Sequence, residues 1–269
     1  MGASMPNWVM NKIMVGKPEY VETIEKQYCI KRDGNDGLDF DFNKVKRMPK
    51  ELSIEYGSRS DAGIKLYMTK VCPTATYFGT KQDKLTKEEF LEAAKLICQH
   101  ALSGDELILP KTEVERMKEQ YADKFEEVIN LGKAQVDNAK KYDAINWYEW
   151  SIRNWGTKWN SNSYEAGEDG RSFYFETAWS PALPVILELS KQHPEMKFGC
   201  LYSDEEIGCR VGYALIHDGK IDFEGSFDDR TPDAYKLAFD LWGCGDMFRW
   251  DEKEGTYMPI QEEHEMCQY

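Results

Sequence analysis

The stretch "SFYFETAWSPALPVILELSKQHPEMKFGCLY", residues 172–202, has the sequence patterns of a strand, a helix and a second strand in succession. Phe173 and Phe175 alternate with more polar neighbours, which is the period-two pattern of a half-buried strand. Pro181 supplies a helix-start signal, and Pro194 predicts the end of the helix before "MKFGCLY" forms the next strand. The succession predicts a β-α-β unit.

The beginning of the chain repeats this succession. "NWVMNKIMVG" alternates apolar and mixed positions and ends at Gly16, and "KPEYVETIEKQYC" has Pro18 in a first-turn position and apolar residues at helical spacing. "DGLDFDFNKV" then predicts a second strand, with Phe40 and Phe42 on one face. Two strand-helix-strand halves are therefore expected in one sheet.

The middle of the chain has the period of helices. In "TKEEFLEAAKLICQHAL", Thr86 and Glu89 have the spacing of a capping box, and residues 90, 94, 97 and 101 predict the apolar face. A second helix opens near "PKTEVERMKEQYADKFEEVINL"; Gly132 is expected to interrupt it before the helical period resumes. Between Ser58 and Leu85 the sequence shows no clear period.

The last part predicts strands in "CRVGYALIHDGK" and "KIDFEGSF", a short helix in "PDAYKLAFDLWG", and a loosely held acidic end in "QEEHEMCQY". The predicted fold class is α+β: a ferredoxin-like split β-α-β antiparallel sheet with a helical insertion. We expect residues 5–57 and 144–227 to form the sheet domain, 58–143 the mainly helical insertion, and 228–269 the short helix and acidic tail.

Composition excludes several classes of function. The chain has 48 acidic against 34 basic residues and a formal charge of -14, which disfavours binding to duplex nucleic acid or to an anionic membrane. Its seven cysteines are odd in number and lack CxxC spacing, which indicates free thiols in a reducing compartment. No window approaches the about eighteen apolar residues of a membrane span. The expected location is the cytoplasm.

The sequence contains none of the common catalytic motifs. HExxH, the Walker loop, GxSxG and a GxGxxG in a Rossmann context are all missing, and the four histidines are scattered. We therefore predict no catalytic residue, no metal site and no cofactor.

One stretch stands out as a candidate site. "WYEWSIRNWGTKWN", residues 147–160, places four tryptophans beside basic and amide side chains, and as a helix over 141–155 it would carry two aromatic stripes, one of them beginning at Ile145. Two interpretations stay open: a packed junction between the insertion and the sheet, or an aromatic binding site. For the second, the candidate binding residues are Trp147, Trp150, Arg153, Asn154, Trp155, Lys158, Trp159 and Asn160, with Trp8, Asn11 and Trp179 as supports.

These motifs carry a family resemblance. "PNWVMNKIMVG", the tryptophan-rich stretch, "FYFETAWSPALPVILELSKQHPEMKF" and "GYALIHDGK" resemble the YubB-like proteins of phages and plasmids, which have a ferredoxin-like domain. The resemblance covers both ends of the sheet domain and leaves residues 58–140 unmatched. It implies a mobile genetic element as the source and offers no catalytic residues, since the family has no assigned function.

The expected function is that of a non-enzymatic binding protein of a mobile genetic element, with interference in a host defence component as one use. A nucleotide or small-molecule binding protein, or an enzyme using the aromatic pocket, is the alternative, and a single-stranded nucleic-acid binder is the third. The partner is accordingly a host or mobile-element protein, or a small nucleotide-like ligand. The sequence leaves the oligomeric state open.

Overall fold

The computed structural model describes residues 7–32, 34, 36–100 and 107–260 of the chain. The chain divides into two compact units. We call Met1–Arg47 with Ile152–Tyr269 the sheet unit, and Met48–Ser151 the helical unit. The insertion predicted at 58–143 lies inside the helical unit, and the segment after residue 227 belongs to the sheet unit.

The described residues form two sets of elements. The strands are β1 Trp8–Val15, β2 Cys29–Lys31, β3 Leu38–Phe40, β4 Asn162–Ala166, β5 Ser172–Ala178, β6 Lys197–Asp204, β7 Gly212–His217, β8 Lys220–Ser226, β9 Phe248–Asp251 and β10 Thr256–Pro259. The helices are α1 Pro18–Tyr28, α2 Phe42–Val45, α3 Ser58–Val71, α4 Lys87–His100, α5 Lys111–Tyr121, α6 Phe125–Tyr142, α7 Trp147–Trp155, α8 Leu183–Gln192 and α9 Pro232–Trp242. None of these helices is long and apolar enough to cross a membrane.

The sheet unit has the connectivity of a split β-α-β fold. Its antiparallel sheet has the strand order β2-β3-β4-β5-β1-β6-β7-β8, and β1 lies between β5 and β6, the two strands that α8 connects. Asn11 of β1 faces Phe175 on one side and Tyr202 on the other. The predicted α+β, ferredoxin-like fold is confirmed.

The core of the sheet unit follows from the alternation in the strands. Val9, Ile13 and Val15 are buried along one face of β1, as the period-two pattern predicts. Phe173 and Phe175 of β5 lie on the same face, since they pair with Ile13 and Asn11. Helix α1 contacts β1, and α8 contacts β6, β7 and β8, so the two helices cover this face.

The second predicted strand is shorter than expected. β3 ends at Phe40, and Asp41 instead caps α2, accepting a hydrogen bond from the Asn43 backbone N–H at 3.0 Å. An aspartate before a helical turn accepts a hydrogen bond from an N–H group that would otherwise be unpaired. The chain therefore starts a helix at this point and does not continue the strand. Phe42 remains in the core, with its ring 5.5 Å from that of Phe40.

The helical unit shows why Gly132 does not interrupt a helix. Gly132 lies in the middle of α6, and a Cβ built there would meet the Gly63 carbonyl oxygen of α3 at 1.9 Å. The glycine therefore permits the two helices to approach closely. The chain changes direction earlier, at Ala122, whose φ is 43°. The prediction of a break at Gly132 was wrong.

Two other helix predictions are settled by hydrogen bonds. The capping box of α4 is confirmed, because the Glu89 N–H donates to Thr86 Oγ1 at 3.3 Å and the Thr86 N–H donates to Glu89 Oε2 at 2.9 Å. The helix expected over 141–155 is wrong at its start, because α6 ends at Tyr142 and Asp143 adopts a left-handed φ of 53°. Residue 101 and the acidic end "QEEHEMCQY" lie outside the described residues.

Candidate binding surface of the sheet unit

Trp155 belongs to the core of the sheet unit. The side chain is buried, its indole N–H donates to the Lys46 carbonyl oxygen at 2.9 Å, and its ring lies 5.8 Å from the ring of Phe42. A buried indole with its one donor satisfied is typical of packing. Gly156 ends α7, as its sequence position suggests, with φ at 80°.

Two predicted binding amides serve the fold. The Asn160 side chain donates to Asp41 Oδ1 at 2.7 Å and accepts from the Phe42 N–H at 2.8 Å, so it fixes the start of α2. Asn11 is buried, donates to Thr177 Oγ1 at 2.8 Å and accepts from the Ala182 N–H at 3.2 Å. These contacts assign both side chains a structural role.

The other candidate binding residues of helix α7 are divided between the two units. Trp147 and Trp150 belong to the helical unit, where Trp150 is buried and Trp147 meets the ring of Tyr148 edge to face at 5.8 Å. Arg153 and Asn154 belong to the sheet unit, where Arg153 is exposed and Asn154 half-buried.

The four other predicted residues belong to segments that meet at one end of the sheet. Asn162 of β4 pairs with Glu176 of β5, so the segment before β4 and the segment after β5 lie at the same end. The Thr157 hydroxyl donates to the Ala178 carbonyl oxygen at 2.7 Å, and the Trp179 N–H donates to the Asn7 carbonyl oxygen at 2.8 Å. We call the surface formed by Trp8, Lys158, Trp159 and Trp179 the tryptophan end.

Two indoles of the tryptophan end are open to solvent. Trp159 is 37% exposed and Trp179 is 44% exposed. The Lys158 ammonium lies 4.7 Å from the centre of the Trp159 ring, in the geometry of a cation–π contact. The end therefore presents large apolar surface together with a positive charge.

Trp179 also has an unusual backbone. Its φ of 73° lies in the left-handed region, which a bulky side chain rarely adopts. Such a conformation costs on the order of 1–2 kcal/mol in a residue other than glycine. Two hydrogen bonds hold this backbone conformation. The Trp179 N–H donates to the Asn7 carbonyl oxygen, and the Ser180 hydroxyl donates to the Gly156 carbonyl oxygen at 2.6 Å.

An ion pair next to Trp8, between buried Asp204 and exposed Arg210, was not predicted from the sequence. Asp204, at the end of β6, is fully buried, and its carboxylate accepts hydrogen bonds from the Arg210 guanidinium and from the Glu206 N–H. The hydrogen bonds that Arg210 donates to Asp204 raise the pKa of the guanidinium. The Glu205 N–H donates to the Trp8 carbonyl oxygen at 2.8 Å, so the pair anchors the strand end beside Trp8. The only signal in the sequence is the acidic turn "SDEEIG", which gives no hint of burial.

Two buried thiols of the sheet unit, Cys29 and Cys200, are not activated as nucleophiles. Burial raises the pKa of both Cys29 and Cys200 to about 12, with the Glu25 carboxylate adding to the shift at Cys29. Both thiols are protonated at neutral pH. Among the residues that the structure describes, no group of three or more His, Cys, Asp or Glu side chains is arranged to hold a metal ion.

One comparison with known protein families supports the fold. Residues 154–244 match a family model described as "Ferredoxin-like domain in Api92-like protein". The match supports a ferredoxin-like fold for this segment. The crystal structure of the protein api92 from Yersinia pseudotuberculosis is similar at 11% sequence identity and a TM-score of 0.35, covering 83% of this chain and 99% of that one. No curated protein matches the chain.

Proposed function

We propose that this chain is a non-enzymatic binding protein of a mobile genetic element, and that its tryptophan end contacts a protein of the host or of the element. The observation that carries the proposal is Trp179, an indole that is 44% exposed on a left-handed backbone. Strained residues persist where the surrounding structure holds them, and they cluster at functional sites.

Stability does not account for the arrangement at Trp179. A glycine would adopt the same φ without strain, and a polar side chain would avoid exposing an indole. Exposed tryptophan beside a cation is instead typical of the few residues that carry the energy of a protein interface. Trp159 with Lys158 above its ring supplies the second such group.

A protein partner is favoured over a nucleotide. The aromatic pocket expected from the sequence needs Trp155 and Asn160, and both are used inside the fold. The tryptophan end exposes the indoles of Trp159 and Trp179, and exposed aromatic side chains suit a partner surface. The assignment to a mobile element rests on the sequence resemblance to the YubB-like proteins, and interference with a host defence component is the use that this source suggests.

Native mass spectrometry of protein purified gently from a bacterial host tests the proposal. Wild type is compared with Trp179→Gly and with Trp250→Ala, a control that removes an indole of similar exposure, 38%, from β9. We expect a retained protein in wild type and Trp250→Ala and its loss in Trp179→Gly.

The melting temperature separates loss of binding from loss of fold. Glycine relieves the backbone strain while the packing of the partly buried indole is lost, so the two effects offset and Trp179→Gly should melt within about 4 °C of wild type. A partner retained by Trp179→Gly, or a nucleotide-sized mass retained in place of a protein, would contradict the proposal.

A further inference from the structure

The sheet has a second face, formed by the side chains that alternate with the buried ones. On β1, β6, β7 and β8 we call it the open face. Met14 pairs with Gly199, Gly199 with Leu215, and Leu215 with Phe223, so these residues form one row across four strands. Leu215 is 38% and Phe223 61% exposed. The row is an exposed apolar strip.

A second row beside the first is aromatic. Leu201 pairs with Tyr213, which pairs with Gly225. The Tyr213 ring stacks on that of Phe223, with centroids 5.6 Å apart and planes 29° apart. A Cβ on Gly225 would meet the Tyr213 hydroxyl at 2.5 Å, so the ring lies flat across the glycine. The two rings form a platform on the outer strands of the sheet.

Lysines flank this platform. Lys197 pairs with His217, and His217 with Lys220, so the two ammonium groups are carried on strands about 10 Å apart. Lys12 lies in the aromatic row, since it pairs with Leu201. The Lys12 ammonium lies 5.1 Å from the centre of the Tyr174 ring on the neighbouring strand β5.

The four strands of the open face place lysines on it although the formal charge of the chain is -14. The neighbouring strand β5 adds one carboxylate on the same side of the sheet, since Glu176 pairs with Met10. Charges farther away than about 8 Å are largely screened at physiological ionic strength, so the local lysines decide what this face attracts.

We infer that the open face binds single-stranded nucleic acid, with bases stacked on Tyr213 and Phe223 and phosphates next to Lys12, Lys197 and Lys220. Aromatic side chains flanked by cations bind unpaired bases without sequence preference, because every base has a π face. A duplex keeps its bases stacked on one another, so they are not available to the rings of Tyr213 and Phe223. The site is separate from the tryptophan end and does not depend on it.

Fluorescence anisotropy with a labelled oligothymidylate of about ten nucleotides tests the inference on the full chain. We expect binding at low salt that weakens as salt rises, and a loss of about tenfold in affinity for Phe223→Ala. The matched control is Ile221→Ala on the same strand, because Ile221 pairs with Ile216 on the buried face and is itself 41% exposed. The control should bind as wild type does.

Two further measurements separate stacking from plain charge attraction. The double variant Lys197→Gln with Lys220→Gln should flatten the dependence of affinity on salt, since each lost phosphate contact reduces the slope by about 0.7. Polyglutamate of similar length should bind at least about tenfold more weakly than the oligonucleotide, because it has no rings to stack. Undetectable binding at low salt, equal affinities for Phe223→Ala and Ile221→Ala, or polyglutamate binding equal to that of the oligonucleotide would each overturn the inference.

Discussion

At the scale of single residues, Asn11 joins three elements of the sheet unit. It lies in the central strand β1, donates to the hydroxyl of Thr177 in β5, and accepts from the N–H of Ala182 before α8. Its amide also donates to the Val9 carbonyl oxygen at 3.0 Å. Because the Asn11 amide and the Ala182 N–H are buried, removing the Asn11 side chain leaves the Ala182 N–H without this partner.

Asn11→Ala should therefore lower the free energy of unfolding by at least about 2 kcal/mol, since it removes this partner of the buried Ala182 N–H together with the other hydrogen bonds of the amide. Urea denaturation measures the change. Asn162→Ala is the control, because the Asn162 amide donates to Glu176 Oε2 on the exposed surface and its loss should cost within about 0.5 kcal/mol. Equal losses for the two variants would contradict a structural role for Asn11.

The buried thiols make a second prediction at this scale. With a pKa of about 12, only about one Cys200 thiol in ten thousand is ionised at pH 8, and burial also blocks reagents. Pulse alkylation with N-ethylmaleimide at pH 8, followed by peptide mass spectrometry, should label exposed Cys98 and leave Cys29 and Cys200 unmodified. Labelling of Cys200 at the rate of Cys98 would show that the core opens readily.

Residue identity alone could not distinguish the tryptophans. Trp155 and Trp159 stand four positions apart in one stretch, yet one is buried and the other exposed. What decides is a partner distant in sequence, the Lys46 carbonyl oxygen that accepts from the Trp155 indole. The left-handed backbone of Trp179 is equally unpredictable, because the following Ser180 and Pro181 indicate a turn but do not assign a positive φ to a bulky residue.

At the scale of elements, the contact between α3 and α6 depends on two glycines. A Cβ on Gly63 would meet the Val128 carbonyl oxygen at 2.6 Å, and one on Gly132 would meet the Gly63 carbonyl oxygen at 1.9 Å. Intrinsic helix propensity favours alanine over glycine by about 1 kcal/mol, but the clash involves backbone atoms of both helices. The steric clash of the added Cβ should therefore outweigh the gain in helix propensity.

Gly132→Ala is therefore expected to destabilise the protein by about 1–3 kcal/mol, as overpacking does in other cores. Thermal unfolding followed by circular dichroism measures it. Gly16→Ala is the matched control, because a Cβ there meets no atom within 4 Å. A Gly132→Ala variant as stable as wild type would mean that the helices can separate without loss.

Elements with a clear period were predictable and those with buried polar residues were not. The strands β1 and β5 alternate regularly, and their burial follows the pattern. α3 escaped detection because Ser60 and Thr69 lie on its buried face, where Thr69 Oγ1 accepts from the Leu109 N–H at 2.9 Å. A polar residue satisfied by a partner distant in sequence removes the apolar period that reveals a helix.

At the scale of the whole molecule, the net charge describes an average that local surfaces do not share. The composition disfavours non-specific binding to duplex nucleic acid, because the negative net charge sets the electric field of the chain as a whole. The open face and the tryptophan end both present lysines beside aromatic rings. Composition could not reveal them, because only the register of the strands brings Lys197 and Lys220 into one row.

The proposal that a protein partner covers the tryptophan end is tested by hydrogen–deuterium exchange on the purified complex, with the free protein as reference. We predict slower exchange on binding at residues 157–161 and 178–182, and unchanged exchange in the β9–β10 hairpin that carries Trp250. Unchanged exchange in both predicted segments, with protection elsewhere in the chain, would contradict the claim.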